Sequence, residues 1–175
     1  NESVEHAVSA RSLDELERAA DALKYGVLPA APWVEVRVPS RADPALAPAG
    51  KAVALVACHT VPHALTEGWS GAARTRLEGA MLAAFERIAP GVGATVIGRE
   101  LLTPVDIETR YGTPGGHLHD GELALDQLWV QRPSLVLARS ATPVPGLFLC
   151  GAGAHPGGPF LGGAGALAAR ALVHA

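Results

Sequence analysis

Three groups of residues in this chain have the types and spacing that chemistry needs. The first is a histidine group, with His117 and His119 in "GGHLHDGE" beside Asp120 and Glu122, and His155, Cys150 and His59 as further donors elsewhere. An H-x-H pair next to carboxylates could ligate a metal. Zinc sites, however, pair such residues with a second spaced set such as C-x-x-C or H-E-x-x-H, which this sequence lacks. The histidines therefore read as turn caps and pocket lining, and no metal is expected. The second group is Cys150 with His155, a nucleophile and a base. Cys150 ends an apolar run with no orienting acid nearby, and no G-x-S-x-G elbow occurs, so a buried structural thiol is expected. The third group is the tail, where eight of the 20 glycines fall between Gly146 and Gly165. Glycine at that density costs conformational entropy on folding. Close backbone approach to a ligand, often a phosphate at a helix N-terminus, is the usual offset. Gly163, Gly165 and Ala168 match G-x-G-x-x-A, but a dinucleotide fingerprint directly follows its strand and needs an acid about twenty residues on. Here the sequence ends at Ala175. The tail is thus either a strand and helix that complete a site made mostly by another segment, or a tightly packed helix–sheet corner.

The elements that would position these groups are legible in outline. Ser12 and Glu15 form a capping box ahead of Leu13, Leu16, Ala20 and Leu23, predicting a helix over 12–24 stopped by Gly26. Val34, Val36 and Val38 alternate with Glu35 and Arg37, the period of a half-buried strand. The continuous apolar run around "AVALVAC" predicts a buried, central strand. Leu77, Met81, Ala84, Phe85 and Ile88 share one face of a long helix over 67–89, ended by Pro90 and Gly91. A strand is expected over 94–100, then a short helix opened by Pro104 with Thr103 as cap. Residues 112–145 read as irregular. A last strand over 147–150 and a last helix over 164–173 close the chain. Helices and strands mix without a βαβ repeat, so the expected class is α+β: a mixed sheet with flanking helices, plus the terminal strand–glycine loop–helix.

Bulk properties narrow the classes. A chain of 175 residues, 49% hydrophobic and 18% charged, can bury a core without staples and is not disordered. Net charge is −3, with only 14 Lys plus Arg and no basic patch, which argues against a nucleic-acid partner. Two cysteines in apolar runs suit a reducing compartment, so a cytoplasmic location is expected. No run approaches the ~18 apolar residues of a membrane span, though contact with a membrane surface is allowed. The sequence opens on Asn1 and its single methionine is Met81, so it reads as processed or cut from something longer.

Two long stretches, "LLTPVDIETRYGTPGGHLHDGELALDQLWVQRP" and "TPVPGLFLCGAGAHPGGPFLGGAGALAARALV", resemble the C-terminal part of the phytoene dehydrogenase-related flavoproteins. The shared motifs are T-P-x-D-I-E at Thr103–Glu108, G-G-H-x-x-x-G-E at Gly115–Glu122, D-Q-L at Asp126–Leu128 and R-P at Arg132. They continue with G-L-x-L-C-G-A-G-x-H-P-G-G at Gly146–Gly158 and G-x-x-x-A-A-R over 163–170. "DPALAPAGK" at Asp43–Lys51 adds to the match.

The resemblance implies an FAD-dependent oxidoreductase that moves a hydride between flavin and an apolar, carotenoid- or retinoid-like substrate. It also implies an N-terminal Rossmann domain that this sequence does not include. On that basis residues 1–140 belong to a substrate domain and 141–175 to the end of the FAD-binding domain. Gly151, Gly153, Pro156, Gly157, Gly158, Gly162, Gly163, Ala164 and Gly165 become cofactor-binding candidates, and His155 the candidate catalytic residue on the substrate side. The chain alone is expected to be inactive, and its exposed apolar face to favour a homodimer. Ala154 stands where the desaturases commonly carry Thr, and Pro159 and Phe160 replace small residues, so phytoene itself is not implied. The alternative is a self-standing module that binds an apolar ligand or a protein. A metal-dependent hydrolase built on His117, His119 and Glu122 is the third reading.

Overall fold

The computed structural model describes residues 4–117, 124–157 and 162–174. They form two compact units, Asn1–Thr103 and Pro104–Ala175.

The first unit is built on a small antiparallel sheet in the order β1 (His6–Val8), β2 (Glu35–Arg37), β3 (Leu55–Ala57). The register pairs Ala7 with Val36 and Val36 with Val56. Alternation along the middle strand has the expected consequence: Val34 and Val36 are fully buried and Val38 nearly so. They form the core with Ala84 and Phe85 of the long helix α2 (Gly71–Ile88), and Val56, Cys58, Met81 and Ile88 pack around them. Each valine so buried contributes about 1.5–3 kcal/mol relative to exposure.

Helix α1 (Leu13–Lys24) starts where the capping box places it. The Glu15 backbone N–H donates to Ser12 Oγ at 3.3 Å, and the Glu15 carboxylate accepts from the Arg11 N–H at 2.9 Å. Gly26 follows the helix at φ +66°, close against Thr66 and the Ala64 carbonyl, where a Cβ would collide. That close approach, together with the left-handed φ, explains the glycine. Helix α2 is capped in the same manner by Ser70 Oγ, which accepts from Ala73 N–H.

Two expectations fail here. The run around Leu55–Ala57 is not a central strand: β2 is central, β3 lies at the edge, and Leu55 is 60% exposed. An apolar run reports what its inner face can bury, not how many neighbours it pairs with. Val56 and Cys58 meet the core, whereas Leu55 points away. No strand forms over 94–100 either. Beyond α2, Gly91 turns at φ +88°, and the Glu86 carboxylate accepts from the Gly91 and Gly93 N–H groups. The chain curls into a 3-10 turn over Val92–Thr95 instead of running extended, and Ile97 is left 79% exposed.

The sheet's outer face carries a polar cluster. Glu35 accepts from Arg37 and bonds His6 Nε2 and His59 Nε2, each at 2.9 Å, so one carboxylate joins residues of all three strand segments. The hydrogen bond from Arg37, then that from His59, lowers its pKa to about 2. Trp33 stacks on His59 with ring centroids 5.0 Å apart.

The second unit begins with helix α3 (Pro104–Tyr111), continues through 3-10 turns, and ends with helix α4 (Gly163–Val173). Where a terminal strand is expected, residues 147–150 carry one antiparallel bridge, Ala141 to Phe148. No helix among the described residues is long and apolar enough to cross a membrane.

Candidate functional site

The glycine-rich tail folds as two consecutive turns leading toward a helix N-terminus. Ala154 N–H donates to the Gly151 carbonyl at 3.1 Å, and Gly157 N–H to the Ala154 carbonyl at 2.7 Å. Gly151 and Gly157 adopt φ +95° and +79°, in the left-handed region where a side chain is strained. Ala154 sits at the centre of these turns, 3% exposed. Gly158 lies outside the described residues. The chain re-emerges at Gly162, the N-cap of α4, with φ +68° and no side chain to cap the helix. Ala166 N–H donates to the Gly162 carbonyl at 2.9 Å and closes the first turn. Gly163, Ala164 and Gly165 therefore form the positive end of the α4 dipole. A Cβ on Gly163 would lie 3.5 Å from Pro156 Cγ, so the helix start lies beside the first loop.

Arg132 holds this loop in place. It is 1% exposed, its Nε donates to the Ala152 carbonyl at 3.0 Å, and its side chain lies where a Cβ on Gly157 would have to go, 2.9 Å from Cδ. A buried guanidinium must be compensated, and the loop carbonyl contributes to that compensation. In the sequence Arg132 stands out only as part of a motif. Its partners lie 20 and 25 residues away, beyond any local pattern. Ser140 is a second residue without a signal in the sequence. It has φ +68°, is 1% exposed, and its Oγ has no hydrogen-bond partner among the described residues. Its backbone carbonyl accepts from Leu149 N–H at 2.7 Å, just ahead of the glycine loop.

The remaining candidates separate. His155 is half-buried and lies within the second of the two loop turns. Cys150 is exposed, contrary to the buried thiol expected of it, because only one bridge joins its segment to a neighbour. Cys58 is half-buried, and that burial raises its pKa. His117 is exposed, while His119, Asp120 and Glu122 lie outside the described residues. His59 belongs to the first unit and bonds Glu35. Among the described residues no three His, Cys, Asp or Glu side chains converge as a metal site.

The tail fits an anionic cofactor on two counts. The α4 N-terminus has no side-chain cap, and a Cβ placed on Gly151, Gly162 or Gly165 would meet no described atom within 4 Å. Among the described residues those glycines fill no packing contact, which is compatible with a bound diphosphate or flavin ring lying over the backbone.

No family model matches the chain. It is 38% identical over 157 residues to the rat protein named pyridine nucleotide-disulfide oxidoreductase domain-containing protein 2 (Rattus norvegicus), covering 89% of this chain and 27% of that protein. The mouse counterpart (Mus musculus) is 36% identical over 159 residues, covering 90% and 27%. A limonene dehydrogenase component from Castellaniella defragrans is 31% identical over 126 residues, covering 71% of this chain and 23% of that protein. The chain thus spans about a quarter of the length of the curated relatives it matches, and those relatives are named as oxidoreductases.

Proposed function

We propose that this chain is the C-terminal part of an FAD-dependent oxidoreductase, contributing the loop and helix that complete the flavin site and part of the substrate domain. The observation that carries this reading is the α4 N-terminus without a side-chain cap, where no described atom lies within 4 Å of a Cβ placed on Gly151, Gly162 or Gly165. When bound, FAD supplies the hydride acceptor or donor. The protein's own part is positioning. The N–H groups at the start of α4 would face a phosphate or the flavin pyrimidine edge, where the helix dipole favours negative charge. Arg132 keeps the Gly151–Gly157 turns at a fixed height, and His155 is assigned to the substrate side of the loop. The substrate proposed is an apolar, hydrocarbon-like molecule. The family resemblance supports this, as does the name of one relative, a dehydrogenase of limonene. Exposed apolar side chains of the second unit, including Leu135, Val136, Leu172 and Val173, would be covered by the Rossmann portion or, without it, by a second copy of the chain.

The test is Gly165→Ala. In a helix Ala is favoured over Gly by up to about 1 kcal/mol, and the added methyl meets no described atom. The variant should therefore fold with equal or greater stability, while flavin binding weakens at least tenfold. Binding is measured by fluorescence titration with FAD, in the chain alone and in the chain fused to the Rossmann portion of the rat relative. Unchanged flavin affinity in a fused protein that does bind FAD would sink the assignment of this helix. Absence of flavin from the fused wild-type protein would sink the whole reading.

A further inference from the structure

The run "AVALVAC" over residues 52–58 has no charge and no proline, and a run apolar on both faces suits a strand with cover on both sides. Within this chain it lacks that cover. None of its residues is buried, and Val53 and Leu55 are 44% and 60% exposed. One side of the β3 backbone is open as well. The register pairs Leu55 with Arg37 and Ala57 with Glu35. On the middle strand segment, Val34 and Val38 turn their backbone toward β1: the Val34 carbonyl accepts from Ser9 N–H, and Val38 N–H donates to the Glu5 carbonyl. Glu35 and Arg37 therefore turn theirs toward β3, where Ala57 and Leu55 meet them. Val53 N–H keeps the alternation and donates to Ser40 Oγ at 2.9 Å. The N–H and C=O groups of Ala54, Val56 and Cys58 then point to the opposite side, and there none of them has a hydrogen-bond partner among the described residues.

Native sheets guard an open edge with charge or proline. β1, at the other edge, is guarded: it follows Glu5, and its His6 bonds Glu35. β3 has no such guard within residues 52–58. About three quarters of each rodent relative lies outside the stretch matched by this chain. We propose that the open edge of β3 is completed by an extended, apolar segment from that remaining part of the longer protein, which makes β3 an interior strand of a wider sheet. The inference rests on the reading of this chain as one part of a longer oxidoreductase. The backbone groups of Ala54, Val56 and Cys58 would pair with the added segment, and its side chains would cover Val53 and Leu55 from the adjacent strand position. The apolar run thus describes the strand as it stands in the wider sheet, with its last neighbour in place.

The experiment is hydrogen exchange resolved to single amides by mass spectrometry. It is run on the 175-residue chain and on the same chain joined to the unmatched portion of the rat relative. In the chain alone, at any concentration, the Leu55 and Ala57 amides should exchange slowly and those of Ala54, Val56 and Cys58 fast. In the joined protein these three should slow by about a hundredfold or more. Ala54→Pro takes a donor from the open edge and none from the side facing β2, and it should return Val56 and Cys58 of the joined protein to fast exchange. Slow amides in that variant would place their protection elsewhere and overturn the proposal. A joined protein that binds FAD yet keeps the three amides fast overturns it too, and leaves the flavin reading intact. So does protection already present in the chain alone: growing with concentration it assigns the edge to a second copy, and constant it assigns the edge to the chain's own atoms. A joined protein that binds no FAD sinks the reading of function, and the strand is then decided on the rat protein itself. A match over 157 residues of a 175-residue chain takes in residues 54–58. Slow exchange at the three corresponding positions of the rat protein upholds the proposal, and fast exchange overturns it.

Discussion

Gly157→Ala tests whether Arg132 and the glycine loop form one packed unit. Two costs add at this position. The φ of +79° places an L-residue in the left-handed region, worth about 1–2 kcal/mol. The new methyl would also sit 2.9 Å from Arg132 Cδ and 3.2 Å from its Nε, a mid-chain segment anchored by the bond from Nε to the Ala152 carbonyl. Overpacking against a fixed neighbour costs about 1–3 kcal/mol. The sum is about 2–5 kcal/mol, a large share of the stability of a domain this size. Gly151→Ala is the matched control, with φ +95° but no described atom within 4 Å of its Cβ. It should cost only the backbone part, about 1–2 kcal/mol. Urea denaturation of both variants, of Arg132→Ala and of the Gly157→Ala/Arg132→Ala pair gives a double-mutant cycle. Removing the arginine side chain removes the collision, so the pair should be about 1–3 kcal/mol more stable than the sum of its single losses. An additive cycle, or a Gly157→Ala cost no greater than that of Gly151→Ala, would refute the packing argument.

Other outcomes follow from the same structure. A Cβ on Gly116 would overlap the Pro104 carbonyl and lie 2.7 Å from Pro104 Cα, with φ at +64°. Backbone cannot move aside, so Gly116→Ala should cost more than Gly157→Ala, about 3 kcal/mol or more, as read by urea denaturation. Glu35 has a folded pKa of about 2 against 4.5. Its stabilising effect is therefore fully present above pH 4.5 and lost as the pH falls toward 2; Glu35→Gln should flatten stability across that window. A thiol reagent under native conditions should react first with exposed Cys150, and only slowly with Cys58, whose thiol burial pushes up. Cys150→Ser should abolish the fast phase alone. Equal rates for both thiols would contradict the placement of Cys58 beside the sheet core.

What was legible in the sequence was local. Ser12 with Glu15, the valines at 34, 36 and 38, and the apolar face of α2 each carry their own signal within a few residues, and each forms where expected. Strand β1 could not be read, since His6–Val8 is three residues long and shows no period. The edge position of β3 depends on which segments pair, and the curl after α2 depends on a carboxylate reaching forward from Glu86 to Gly91 and Gly93. The role of Arg132 is set by neighbours far along the chain. Composition and periodicity carry no information at that range.

The tail's glycines look like one feature in the sequence, and the choice between a ligand cradle and a crowded corner stands open there for all of them together. The structure divides them. Gly157 belongs to the corner, because a side chain there would displace Arg132. Gly151, Gly162 and Gly165 do not, since a Cβ on any of them would meet no described atom. For Gly151 and Gly162 a positive φ is reason enough for glycine. Gly165 has no such reason: it is helical, unobstructed, and would be more stable as alanine. A residue that weakens its own helix without relieving a contact among the described residues leaves the backbone there open to approach from outside them, as a bound cofactor would require. Gly165 is for that reason the position at which a cofactor-binding role and a purely structural one make opposite predictions.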